Sequence, residues 1–141
     1  MDFPCLLIRL IDMTLTLFRS MRTGADKLPE CGDTARHLGA RQGHDIPVCT
    51  NGTVLPATGG MSVAIGTPSE LPPHRRPASL DGSGSDPVFA IHLEVLPSNL
   101  ATRQSGRKPR HYLVEPSEKC LYLVFQATLC GTRHLWEEVA Q

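Results

Sequence analysis

Arg19 closes an apolar stretch, LTLFR at 15–19. A guanidinium is the side chain that grips phosphate through a planar fork, although an arginine at a strand edge can also snorkel into water. Ser62 follows the Gly59-Gly60 pair; a serine there can bond a ligand or satisfy its own turn. His111 and Tyr112 are adjacent in an extended stretch, so they face opposite sides and only one of them can line a cleft. His111 is the polar, cleft-facing member and Tyr112 the core-facing one; a histidine there can equally be a satisfied structural residue. Glu94 and Glu115 are the carboxylates carried by the extended stretches at 88–96 and 110–116. Alternation by two puts Leu113 and Glu115 on the side of His111, which favours Glu115, while either can be an ordinary exposed charge. Cys31, His37, His44 and Cys49 have metal-ligand chemistry but lack the close Cys and His pairs that structural zinc uses. No phosphate-binding P-loop, serine-hydrolase elbow or zinc-protease helix motif occurs.

These residues need elements to hold them. MTLTLFR at 13–19 alternates as a strand, with Leu15 and Leu17 on one side and Thr14, Thr16 and Phe18 on the other. Residues 20–58 read as a long loop with a helical turn near Asp33–Leu38, capped by Asp33. Pro56 and the double glycine split 52–66 into two short apolar runs, and the glycines permit positive φ or a close backbone approach. Residues 1–12 and 66–87 are expected to be irregular or mobile. VFAIHLEVL at 88–96 alternates as a half-buried antiparallel strand, with Phe89, Ile91, Leu93 and Val95 inward. A further strand spans 110–116 and ends at Pro116. Ser117 is the expected N-cap of a helix carrying Leu121, Val124, Phe125 and Leu129 at helical spacing, and Gly131 ends or breaks it. LYLVF within it also suits a strand. A second helical piece over 132–139 would pack Trp136 onto the sheet. The whole, 1–141, reads as a single α+β domain.

A chain of 141 residues can bury roughly two-thirds of its unfolded surface. Its apolar fraction of 40% is enough for a core. Lys and Arg balance Asp and Glu at 14 each, which argues against a nucleic-acid or anionic-membrane partner held by bulk charge, despite the basic run Arg103, Arg107, Lys108 and Arg110. Five cysteines, an odd number with no C-x-x-C spacing, imply reduced thiols inside a cell. Arg9 interrupts the apolar N-terminus, a poor signal peptide, and no run approaches the roughly 18 apolar residues of a membrane helix. A cytoplasmic protein is the expectation.

LTLFR at 15–19, TGGMSV at 58–63 and HYLVEPSEKC at 111–120, followed by a helix and a late tryptophan, occur in an order that resembles the ADP-ribosyltransferase-like toxins of bacterial type VI secretion and related fungal domains. The resemblance spans about residues 14–139 and rests on order and spacing. It implies a small split β-sandwich with one or two supporting helices and a cleft for NAD as co-substrate. It also implies a cytotoxin that enters a target cell by a route other than a cleaved leader and meets an immunity or target protein. A related domain binding a partner protein or nucleotide without turnover is the alternative. By this resemblance Arg19, Gly60, Ser62 and Tyr112 would bind the dinucleotide, and Ser62, His111 and Glu115 would act on it. Met61 stands where the family tends to carry a second hydroxyl.

Overall fold

The computed structural model describes residues 15–141. The expectations for 1–12, for the start of the first strand at 13–14 and for Cys5 lie outside them.

Six strands form one wholly antiparallel sheet. In chain order the strands are β1 Thr16–Ser20, β2 Thr53–Val54, β3 Met61–Ile65, β4 Val88–His92, β5 Leu100–Gln104, β6 His111–Pro116, β7 Cys120–Leu121 and β8 Glu137–Ala140. The large sheet runs β5-β6-β3-β1-β4-β8, and β2 pairs with β7 in a separate ribbon. With α1, Tyr122–Cys130, the described residues make an α+β domain. No helix among them is long and apolar enough to cross a membrane.

Alternation assigns the faces. Leu17, Met61, Val63, Ile65, Phe89, Ile91 and Val114 point into the main core, where Tyr122, Phe125 and Leu129 of α1 and Trp136 cover them. The 20–58 segment completes that cover. It is irregular as expected, but Leu38, Ala40 and Ile46 turn inward and are buried. Its helical turn is a tight one in which the Thr34 hydroxyl, not Asp33, accepts a bond from the Arg36 amide. On the opposite face Phe18, Ala64 and Val88 meet Leu71 in a smaller cluster. Leu71 belongs to the 66–87 segment, which forms three short 3-10 turns, Pro68–Glu70, Pro73–Arg75 and Ala78–Leu80. β4 is therefore covered on its second face at Val88, while Ala90 is partly buried and His92 exposed.

Several boundaries differ from the sequence reading. β4 stops at His92 because its partner β1 ends there: Leu93 donates to the Leu15 carbonyl and then enters a 3-10 turn with Glu94 and Val95. The Ser117 hydroxyl donates to the Ser98 carbonyl instead of capping a helix. Cys120 and Leu121 pair with Val54 and Thr53, so LYLVF is divided, its first residue in a strand and the rest in α1. Leu121 and Val124 are consequently exposed, and the buried stripe is Tyr122, Phe125 and Leu129. Gly131 does follow the helix as its C-cap. After a 3-10 turn at Arg133–Leu135, the expected second helix is replaced by β8, which pairs with the free edge of β4. A helix of so few residues would nucleate poorly, whereas pairing satisfies an exposed edge. Trp136 is still buried, its indole N–H donating to the Thr132 hydroxyl at 3.0 Å.

The reduced-thiol expectation is also corrected. Cys31 and Cys130 form a disulfide with Cα atoms 5.5 Å apart, joining the long loop to the end of α1. An odd cysteine count conceals such a pair, because Cys49 and Cys120 remain free.

Candidate functional site

The strands deliver the candidate residues to one end of the sheet. Arg19 comes at the end of β1, opposite Phe89 of β4. Ser62 is the exposed residue of β3, two places past a double glycine. A side chain on Gly60 would meet the Val114 carbonyl at 2.3 Å, and one on Gly59 the Asp45 carbonyl at 2.2 Å. The two glycines thus serve a close backbone approach, which sets where β3 begins. Pairing of Ala64 with His111 puts the imidazole on the face that also carries Ser62.

Arg19, Ser62 and His111 all line one cavity of about 330 Å³. Its other walls come from three loops: Ala35, Arg41 and Asp45; Glu70 to Arg75; and Lys108 with Arg110. That volume lies at the lower end of the range for small-molecule sites. The lining is cationic. Arg19, Arg41, Arg75, Lys108 and Arg110 face only the carboxylates Asp45 and Glu70, and Arg41 is already paired with Asp45 at 2.9 Å.

Arg19 is 6% exposed and has no carboxylate at ion-pair distance among the described residues. Its donors go to backbone: Nε and Nη2 to the His37 carbonyl, Nη2 also to Ala35, and Nη1 to Ser62 at 2.7 Å. Burial, followed by the neighbouring charge of Arg75, lowers its pKa to about 10, so it remains a cation at neutral pH. Arg75 is lowered too, mainly by burial.

The remaining candidates lie elsewhere. Gly60 is not in the cavity wall; its amide is bonded to the Asp45 carbonyl at 2.9 Å. Tyr112 sits on the opposite face beside Val63, packed against the main core, and does not reach the cavity. Glu115 keeps the alternation with His111 but lies about 13 Å further along the strand. It is buried, accepting bonds from Arg103 Nε at 3.1 Å and the Ala57 amide at 3.0 Å, away from the cavity. Glu94 is exposed on its 3-10 turn. The four possible zinc ligands do not assemble: no group of three His, Cys, Asp or Glu side chains among the described residues could hold a metal, and Cys31 is in the disulfide.

Sequence reasoning missed Arg41 and Arg75, and it saw Lys108 and Arg110 only as surface charge. A signal for Arg75 was present in PPHRRP at 72–77. Prolines fix the backbone on both sides of the basic residues and hold them in a defined turn. Comparison of the chain with protein families and with curated proteins gave no match.

Proposed function

We propose that the cavity binds an NAD-type dinucleotide and that the chain is a cytotoxin of the ADP-ribosyltransferase type, built on a variant of that split-sandwich fold. One observation carries the reading: Arg19, Ser62 and His111, separated by more than forty residues at each step, line a single cavity whose charged walls are mostly cationic. Such walls suit a pyrophosphate, because desolvated guanidinium groups bind phosphate oxygens strongly. A cavity of this size takes part of a dinucleotide and leaves the rest along its mouth. The Ser62 hydroxyl is placed to bond a ribose and His111 to accept or donate a proton. The reaction breaks the nicotinamide–ribose bond, and an acceptor nucleophile adds to the oxocarbenium-like carbon as nicotinamide leaves.

A second reading is favoured by Glu115. Its carboxylate is bound by Arg103 and the Ala57 amide outside the cavity, and Glu70 is the only cavity carboxylate outside the Arg41–Asp45 pair. In that reading the domain holds a nucleotide or a partner without turning it over. Purified protein tested for NAD binding by calorimetry and for nicotinamide release separates the two. Binding with release, both reduced in Ser62→Ala and His111→Ala, supports the transferase. Binding without release supports the second reading, and failure to bind any nucleotide overturns both.

A further inference from the structure

The arginine that the sequence puts forward as the ligand grip has few donors left to offer. A guanidinium carries five N–H groups, and four from Arg19 are committed to the carbonyls of Ala35, His37 and Ser62. Those carbonyls belong to the loop over the main core and to β3, so Arg19 ties the loop to the start of an interior strand. It is a positioning residue by its bonds.

Arg75 is arranged the other way. Both of its hydrogen bonds leave from Nη2, to the carbonyls of Ser20 and Ala35. Its Nη1 approaches Asp86 only at 3.9 Å, beyond hydrogen-bond range, because Arg36 already holds that carboxylate through two bonds of 2.7 and 2.6 Å. Nε and both Nη1 hydrogens therefore have no hydrogen-bond acceptor among the described residues. The side chain is 18% exposed in the cavity wall, in contrast to the sealed Arg19. Both guanidinium groups donate to the one Ala35 carbonyl, so two like charges meet at a single oxygen. An anion beside them would relieve that repulsion.

We propose that Arg75 is the cavity's anion-contacting arginine, donating to a phosphate or pyrophosphate oxygen from Nη1 or from Nε, which leave opposite sides of the guanidinium, while Arg19 only fixes the geometry around it. The proposal rests on the reading that the cavity holds a phosphate-bearing ligand. Lys108 and Arg110, also in the cavity lining, add charge.

The test is titration calorimetry of the full chain with inorganic pyrophosphate and with ADP-ribose, alongside thermal melting. Arg75→Gln is expected to weaken pyrophosphate binding by about tenfold or more, since a bond to a charged group is lost. Arg75→Lys, which keeps the charge and loses the carbonyl-anchored planar guanidinium, should recover part of that affinity. Arg19→Gln should instead lower the melting temperature by about 10 °C, through its lost carbonyl partners, and weaken binding below that temperature much less than Arg75→Gln does. Native-like binding by Arg75→Gln with loss of binding in a folded Arg19→Gln would overturn the assignment. Absence of binding by the native chain would instead sink the functional reading beneath it. If Arg75→Gln does not fold, equal binding by Arg75→Lys and the native chain counts against the anchored guanidinium as the contact.

Discussion

The two faces of the large sheet are held by different physics. On one, the alternate residues of β1, β3, β4 and β6 are apolar and are sealed by α1, Trp136 and the inward side chains of the long loop. On the other, Phe18, Ala64, Val88 and Leu71 make a small cluster that gives way to the cavity. Burial of apolar surface stabilises the first face without demanding particular partners. The second is ordered by donors and acceptors with few substitutes: Arg75 to Ser20 and Ala35, and Arg36 to Asp86. A face built in this way contributes less to folding and can keep charge unsatisfied. The two are coupled by Arg19, which leaves the sheet on the core side and still reaches the cavity wall.

The strongest way to break this contrast is to cut the staple on the core side. The Cys31–Cys130 disulfide closes a loop with a sequence separation of 99 residues. For a loop near that length, the loss of unfolded-chain entropy corresponds to about 4–5 kcal/mol. Urea unfolding with and without a dithiol reductant, and of the Cys31→Ser/Cys130→Ser double variant, should show a loss approaching that size. Equal midpoints in the two states would mean that the link carries no stability. Truncating a side chain on each face then sharpens the comparison. Phe125→Ala removes a ring that is 1% exposed between α1 and the sheet and should cost about 3–4 kcal/mol. Leu71→Ala, at the cavity wall, should cost about 2 kcal/mol, because water can enter the space left. Similar losses at both sites would contradict the proposed difference between the faces.

The core face was legible in the sequence, and the cavity face largely was not. β1, β4 and β6 follow from alternation, since period two fixes which residues go inward whatever covers them, whereas β3 was read only as part of a short apolar run. What covers them does not follow. Leu38, Ala40 and Ile46 lie in a segment with no period, and only the folded loop shows that they are buried. Local propensity also misjudged the chain's end, where a free strand edge recruited EEVA at 137–140 as β8. At the site, Arg19 and His111 were reachable because each sits on a strand the sequence marks, and Ser62 because it follows the double glycine. Glu115 was counted onto the correct face, but alternation says nothing of position along it, and Arg103 holds it elsewhere. Arg75 lies in a proline-framed loop, where neither period nor spacing marks its direction. The disulfide escaped because pairing depends on spatial approach, which an odd count cannot reveal.

The smallest expected effect lies on the cavity face and reads its electrostatics directly. Asp86 is 7% exposed, and the bonds from Arg36, with further help from Arg75, hold its carboxyl below the ordinary 3.8. A carboxyl whose folded pKa is depressed binds protons more readily in the unfolded chain, so folding is favoured wherever the group is ionised. Its contribution is therefore complete above about pH 4 and is lost as pH falls through the lower, folded value. Urea midpoints measured from pH 6 down to pH 2 should decline, and Asp86→Asn should flatten the lower part of that decline while starting from a less stable protein. Asp26, similarly depressed but on the surface through the Leu28 amide and Arg133, serves as the comparison. Asp26→Asn should change the profile much less, since an exposed pair is screened by water and salt. Were the two variants to flatten the curve equally, burial of the Asp86 carboxylate would not distinguish the cavity face from ordinary protein surface.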